Sequence, residues 1–201
     1  MPFWSRPSSD GPGMIARSKT RSLSLALMAL VASAVALTGP VLLLTLTVEA
    51  QAPVLERTLS FYNIHSGVYL TATYRRGNEY DPEGLAQIDH VLRDPVCGDE
   101  HSIDPLVLDF LYDLMEKLGY HREVQMVCGY RSVETNTMMH YRSKGVALGS
   151  MHTQGRALDF RLPGVDTKRV WEIARSMRRG GTGYYRDSDF VHIDTGPVRS
   201  W

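Results

Sequence analysis

Two short segments carry the residues best suited to chemistry. The first is Ser150-Met-His152-Thr-Gln-Gly155-Arg-Ala157-Leu-Asp159-Phe, and the second is Asp189-Phe-Val-His192-Ile-Asp194-Thr-Gly196. Zinc takes imidazole nitrogen and carboxylate oxygen, and a catalytic zinc keeps three protein ligands plus one open position. His152, Asp159 and His192 supply that set, for one Zn2+ per chain. Two neutral imidazoles and one carboxylate leave about one net positive charge on such a site. That charge favours hydroxide over water near neutral pH and stabilises the oxyanion formed when an amide carbonyl is attacked. Two carboxylates compete for the role of proton acceptor, Asp189 three residues before His192 and Asp194 two after. Asp194 has a second reading, as the acceptor that orients a ligand imidazole. Arg131, in Gly129-Tyr130-Arg131-Ser132, can bind a carboxylate in bidentate fashion or stabilise an oxyanion, or else be a solvated arginine at a helix start. On spacing alone, a structural His152 and a capping Asp159 remain the plainer alternative.

The elements that must position these residues can be read from periodicity and turn chemistry. Arg57–Asn63 and Val68–Arg75 are strand-like, with His65-Ser66-Gly67 as a hairpin turn. Pro82–Arg93 reads as a helix. Asp104–Leu118 is a stronger one, capped by Asp104, started by Pro105 and stopped by Gly119, with Val107, Leu111, Leu114, Met115 and Leu118 as its apolar stripe. Glu123–Cys128 is a short strand and Ser132–Lys144 a polar helix. Gly155 lets the chain turn between the first two candidate ligands. In the strand Arg156–Leu162, Ala157 and Asp159 share one face and Leu158 and Phe160 the other. Asp166–Arg179 is a helix with Gly180 as its stop, and Gly180–Gly183 reads as a loop. In the strand Phe190–Asp194, Phe190, His192 and Asp194 share a face, while Val191 and Ile193 point to the core. Helices and short strands mix without a regular βαβ rhythm. The expectation is therefore α+β: a small central antiparallel sheet with flanking helices, preceded by a single N-terminal signal or anchor helix.

The chain has 201 residues, with 22 Lys+Arg against 22 Asp+Glu. Zero net charge offers no electrostatic footprint for nucleic acid, and 10 Tyr, 5 Phe and 3 Trp argue against disorder. The average hides an uneven start. Residues 1–22 form a basic segment, and no charged residue occurs from Ser22 to Val48. A basic flank before a long apolar run is an export signal, and residues 23–52 read as a signal peptide or a membrane anchor. Ala50-Gln51-Ala52 and Ala34-Val35-Ala36 are the small-residue sites for cleavage. Either route places residues 53–201 outside the cytoplasm, in the periplasm or tethered to the inner membrane. That domain holds Cys97 and Cys128, which can pair in an oxidising compartment or stay as free thiols.

Ser150-Met-His152-Thr-Gln-Gly155-Arg-Ala157-Leu-Asp159, with His192 near the C-terminus, resembles the signature of the zinc peptidases grouped as lysostaphin, D-Ala-D-Ala and hedgehog types. Tyr130-Arg131-Ser132, Gly183-Tyr184-Tyr185, Phe190-Val-His192-Ile-Asp194-Thr-Gly196 through Trp201, and Leu59 to Gly67 are similar to the murein endopeptidase K branch of the D-Ala-D-Ala type. The resemblance covers about residues 55–201. It implies zinc at His152, Asp159 and His192, and hydrolysis of peptide bonds in peptidoglycan stem peptides, with cross-link endopeptidase preferred. The alternatives are a D-Ala-D-Ala-type carboxypeptidase and a non-catalytic, metal-stabilised cell-wall-binding domain. Many relatives carry Glu three before the last ligand or His two before it. This chain has Asp189 and Phe190 there, and Asp is one methylene shorter than Glu. Trp201 is expected as a packing plug.

Overall fold

A computed structural model describes residues 55–143 and 145–201. The expected basic segment and the signal or anchor over 23–52 lie outside the described residues. Among the described residues, no helix is long and apolar enough to cross a membrane.

The strands are β1 (Glu56–Asn63), β2 (Tyr69–Arg76), β3 (Glu79–Tyr80), β4 (Val124–Cys128), β5 (Ala157–Arg161), β6 (Gly181–Tyr185), β7 (Phe190–Asp194) and β8 (Arg199–Ser200). The helices are α1 (Pro82–Val91), α2 (Pro105–Leu118), α3 (Val133–Arg142) and α4 (Thr167–Met177), with a 3-10 turn at Met151–Gln154. All eight strands form one sheet in the order β3-β2-β1-β4-β5-β7-β6-β8. The α+β expectation stands, but the sheet is neither small nor purely antiparallel. β1 runs parallel to β4, and β6 parallel to β8, while the other neighbours are antiparallel. Two intervening helices between β1 and β4 provide the long crossover that parallel pairing needs.

Local chemistry explains the helix ends. Asp104 accepts from the Leu106 amide, Pro105 opens α2, and Gly119 closes it in the left-handed region at φ 62°. Asp166 caps α4 by accepting from the Arg169 amide. Gly180 is not the stop of α4: the helix ends at Met177 and Arg178 takes the left-handed cap at φ 52°. The expected loop at Gly180–Gly183 is instead the start of β6. Its glycines answer close approach rather than turn geometry. A Cβ at Gly180 would run into the Asp194 carbonyl, one at Gly181 into the Asp194 carboxylate and one at Gly183 into the Trp201 ring.

The core lies on one face of the sheet. Leu59, Phe61, Ala72, Tyr74, Leu158, Phe160, Val191 and Ile193 pack against α1, α2 and α4, which bring residues such as Ile88, Phe110, Leu111, Val170 and Ala174. Each fully buried large apolar side chain contributes roughly 1.5–3 kcal/mol to this core, which draws nothing from the opposite face. That opposite face, over β4, β5, β7, β6 and β8, is left free to carry function.

Candidate metal centre

Strand register builds most of the site. Cys128 on β4 pairs with Asp159 on β5, Asp159 pairs with His192 on β7, and His192 pairs with Gly183 on β6. These four positions form one row across the sheet. Residues directly opposite each other on one face stand with Cβ atoms about 5 Å apart, so Asp159 and His192 must meet. His152 enters from the 3-10 turn before β5. Gly155 ends that turn at φ 65°, where a Cβ would strike the Ser102 carbonyl. The His152 carbonyl accepts from the Arg131 amide, which ties the turn to the end of β4.

Three donor atoms converge. His152 Nε2 lies 3.2 Å from His192 Nδ1 and 3.2 Å from Asp159 Oδ2, and His192 Nδ1 lies 2.8 Å from Asp159 Oδ1. Ligand atoms around a tetrahedral zinc stand roughly 3.3 Å apart. The outer ring nitrogens are each held by an acceptor. His152 Nδ1 donates to the Gly129 carbonyl at 2.7 Å, and His192 Nε2 donates to Asp194 Oδ2 at 2.9 Å. In neutral rings this places both inner nitrogens as lone pairs facing the Asp159 carboxylate. Lone pairs of three acceptors converging on one point fit a cation, and the outer contacts fix the ring tautomers as metal ligands require. The electrostatics agree. Burial works against charge on both Asp159 and His152, and their mutual contact outweighs it, holding the Asp159 carboxyl low and pushing the His152 imidazole up. Without a metal, a proton shared between them plays the part of the cation.

The site opens into a cleft of about 700 Å³, lined by Arg131, Met139, Val146, Met151, Tyr185, Phe190, Arg199 and Trp201 among others. Arg131 is a buried wall residue, not a solvated one. Its guanidinium donates to Asn136 Oδ1 at 3.3 Å and Cys128 Sγ at 3.3 Å, and lies 4.0 Å from Asp159 Oδ2.

The two carboxylates expected as proton acceptors are placed differently. Asp194 is fully buried behind His192. Besides that imidazole it accepts from the Gly181 and Gly196 amides and from Arg199 Nη1 and Nη2. Burial alone would raise its pKa, but His192, Arg199 and these amides together hold it well below the usual range. Asp189 is not brought to the site. β7 begins only at Phe190, and Asp189 sits in the left-handed region at φ 52°. Its exposed carboxylate accepts from the Thr167 hydroxyl at the start of α4.

The structure also shows participants that spacing did not mark. Cys128 Sγ falls within 4.8 Å of donor atoms of His152 and Asp159, and its register opposite Asp159 is the signal that only strand pairing supplies. Arg199 holds Asp194. Trp201 is not a buried plug: it is half-exposed on the cleft wall, its ring 5.2 Å from that of His192. Cys97 and Cys128 are unpaired, and engage Ser132 and Arg131 respectively.

Comparison with known proteins places this geometry in a family. The peptidase M15 family model described as peptidoglycan L,D-endopeptidase MepK matches residues 51–201. The chain is 45% identical over 145 residues to the peptidoglycan L,D-endopeptidase MepK of Escherichia coli K12, covering 72% of this chain and 80% of that protein. It is 40% identical over 146 residues to the probable peptidoglycan L,D-endopeptidase MepK of Haemophilus influenzae, covering 72% and 78%. No solved structure matches. The matched span contains every residue of the converging centre and its cleft, and the chain belongs to the peptidoglycan L,D-endopeptidase MepK family of M15 peptidases.

Proposed function

We propose that residues 53–201 form a zinc-dependent endopeptidase that cleaves peptide cross-links in peptidoglycan, with His152, Asp159 and His192 as the metal ligands. The observation that carries this reading is that the inner nitrogens of His152 and His192 lie 3.2 Å apart and each within 3.2 Å of one oxygen of Asp159, with each imidazole held at its outer nitrogen and all open to one cleft. A divalent cation there supplies the Lewis acidity that makes water nucleophilic near neutral pH. The ligand set favours zinc, since nitrogen donors suit it better than they suit magnesium or calcium.

The chain's own residues orient the ligands and place charge at the cleft. Asp194 keeps His192 Nε2 protonated and its Nδ1 turned inward, and the Gly129 carbonyl does the same for His152. Arg131 presents a buried positive charge beside Asp159, placed to meet a carbonyl oxygen as it gains charge or a substrate carboxylate. Asp194 is a positioning residue here, because all its contacts are to donors behind the ligand. Asp189, bonded to Thr167, is given no role in this reading. The relatives' substrate lies outside the cytoplasm, so residues 1–52 carry the export function, and the domain works in the periplasm.

The cross-link reading is favoured over a carboxypeptidase because the cleft is open and, among the described residues, Arg131 is its one buried cation. The test uses purified residues 53–201 with metal counted by mass spectrometry and cross-linked muropeptides as substrate. About one zinc per chain and chelator-sensitive loss of cross-linked dimers is the expected result, with product masses naming the bond. Zinc without cleavage favours a wall-binding domain, and no zinc sinks the mechanism.

A further inference from the structure

We infer that the indole of Trp201 is a substrate-contacting platform, which binds the aliphatic part of the amino acid beside the scissile bond on the β6–β8 side of the metal ligands. The inference rests on the peptidase reading above and goes beyond it to the specificity of the cleft.

The indole is large and 46% exposed, and nevertheless anchored at several points. Its Nε1 donates to the Tyr185 hydroxyl at 3.1 Å. Its backbone amide donates to the Thr182 carbonyl, and its carbonyl accepts from the Tyr184 amide. Its ring covers Gly183, where a Cβ would come within 2.7 Å of Cε2. The Arg199 guanidinium stands 5.1 Å from the ring, itself fixed by Asp194. Tyr185 is stacked on Phe190 at 4.3 Å, which stiffens the wall further. An exposed aromatic surface already immobilised in this way loses little entropy on binding, which marks a contact surface rather than a packing plug.

Strand order decides what that surface meets. Arg131 follows β4, Asp159 and His192 occupy β5 and β7, and Trp201 follows β8. Arg131 and Trp201 therefore stand on opposite sides of the ligands, with Arg199, held by Asp194, on the indole's own side. A substrate lying across the strands sets a polar group against Arg131 and an apolar one against Trp201. The Trp201 ring is 5.2 Å from His192, about the length of one to two extended residues. It therefore meets the residue flanking the bond under attack, and the sugar at the far end of a stem peptide is out of its reach.

The test compares wild type with Trp201→Ala, Trp201→Phe and Gly183→Ala. Metal content, steady-state cleavage of a purified cross-linked muropeptide, and calorimetric binding of the same muropeptide to chelator-treated protein are measured for each. Trp201→Ala should raise KM and weaken calorimetric binding roughly tenfold, with kcat and zinc content close to wild type. Trp201→Phe should fall between. Gly183→Ala, which keeps the tryptophan but displaces it, should resemble Trp201→Ala. Unchanged KM and affinity in Trp201→Ala overturn the inference, and so does loss of zinc with KM unaltered, which assigns the ring a structural role. If wild type binds the muropeptide but never cleaves it, the peptidase reading fails on its own. The platform then stands or falls on the calorimetric difference between wild type and Trp201→Ala.

Discussion

Asp109 and Asp159 are both buried aspartates surrounded by partners of opposite charge, and they serve opposite ends. Asp109, on α2, accepts from Arg57 Nη1 at 2.8 Å and the Tyr74 hydroxyl at 2.9 Å through one oxygen. Its other oxygen accepts from Arg75 Nη1 and the Tyr80 hydroxyl, both at 2.8 Å. Tyr74 stays a donor because burial and the adjacent Asp109 charge raise its pKa. Four donors saturate one carboxylate, and the cluster staples β1, β2 and β3 to the helix. Asp159 instead faces two imidazoles whose outer nitrogens already donate elsewhere. Besides these rings the Arg131 guanidinium stands 4.0 Å away, and the cluster opens to a cleft. Burial and charge alone therefore do not mark a functional carboxylate. What differs is that Asp109 is closed off by four fixed donors, while Asp159 shares an open cleft with two imidazoles.

The largest expected effect breaks the two clusters apart. Asp159→Asn should abolish zinc binding and lower cleavage by more than about a thousandfold, since it removes a ligand and its charge. The domain should remain folded, because the apolar core is on the other face. Circular dichroism together with metal analysis checks this, and an unfolded variant would make the metal structural. Asp109→Asn should do the reverse. Two arginines and two phenols lose their anion, and breaking a buried pair costs about 3 kcal/mol. Urea unfolding should show that loss, while kcat per folded molecule holds at low temperature. If Asp109→Asn instead loses activity without losing stability, the distinction between the clusters fails.

A smaller effect sharpens the comparison within the metal centre. Asp194→Asn keeps size and one acceptor oxygen but removes the charge that balances Arg199 and orients His192. Altering such outer partners typically lowers metal affinity by about 10–100-fold. Competition with a chelator of known affinity measures it. Wild-type affinity in Asp194→Asn would show that the Gly181 and Gly196 amides, not the imidazole, are its purpose.

The convergence of His152, Asp159 and His192 was legible because residue type, spacing and strand alternation all point to the same face. Leu158 and Phe160 are apolar, and Asp159 between them must face the other way. The helix caps at Asp104 and Asp166 were legible because capping is a local interaction. β6 was not. Gly180, Gly181 and Gly183 look like a loop until the groups they must clear are known, and Asp194, Arg199 and Trp201 come from later in the chain. The Asp109 cluster was equally hidden, because its donors come from three strands that reach it only through the sheet. Asp189 is a position where spacing and structure diverge. Its spacing to His192 is suggestive, and a left-handed backbone at the head of β7 sends its carboxylate to Thr167.

Asp94 combines the two patterns and gives the mildest test. It is fully buried and saturated by donors, as Asp109 is: its oxygens accept from the Val96 amide at 2.7 Å and the Ser132 amide at 2.8 Å. Yet Ser132 is both the cap of α3 and the residue after Arg131, so Asp94 also supports the cleft wall. Burial alone would raise its pKa, and the bonds from Thr135, Val96 and Ser132 more than reverse that, leaving it below the unfolded value of about 3.9. A folded pKa below the unfolded one contributes stability that is complete above about pH 4 and fades as pH falls toward the folded value. Asp94→Asn should therefore cost about 1–2 kcal/mol at pH 7, and the gap from wild type should narrow below pH 4. Cleavage should fall only a few-fold, through a looser Arg131. Urea melts at several pH values measure the gap. A gap that stays constant down to pH 3 would mean that shape, rather than charge, lets Asp94 hold the end of β4 to α3.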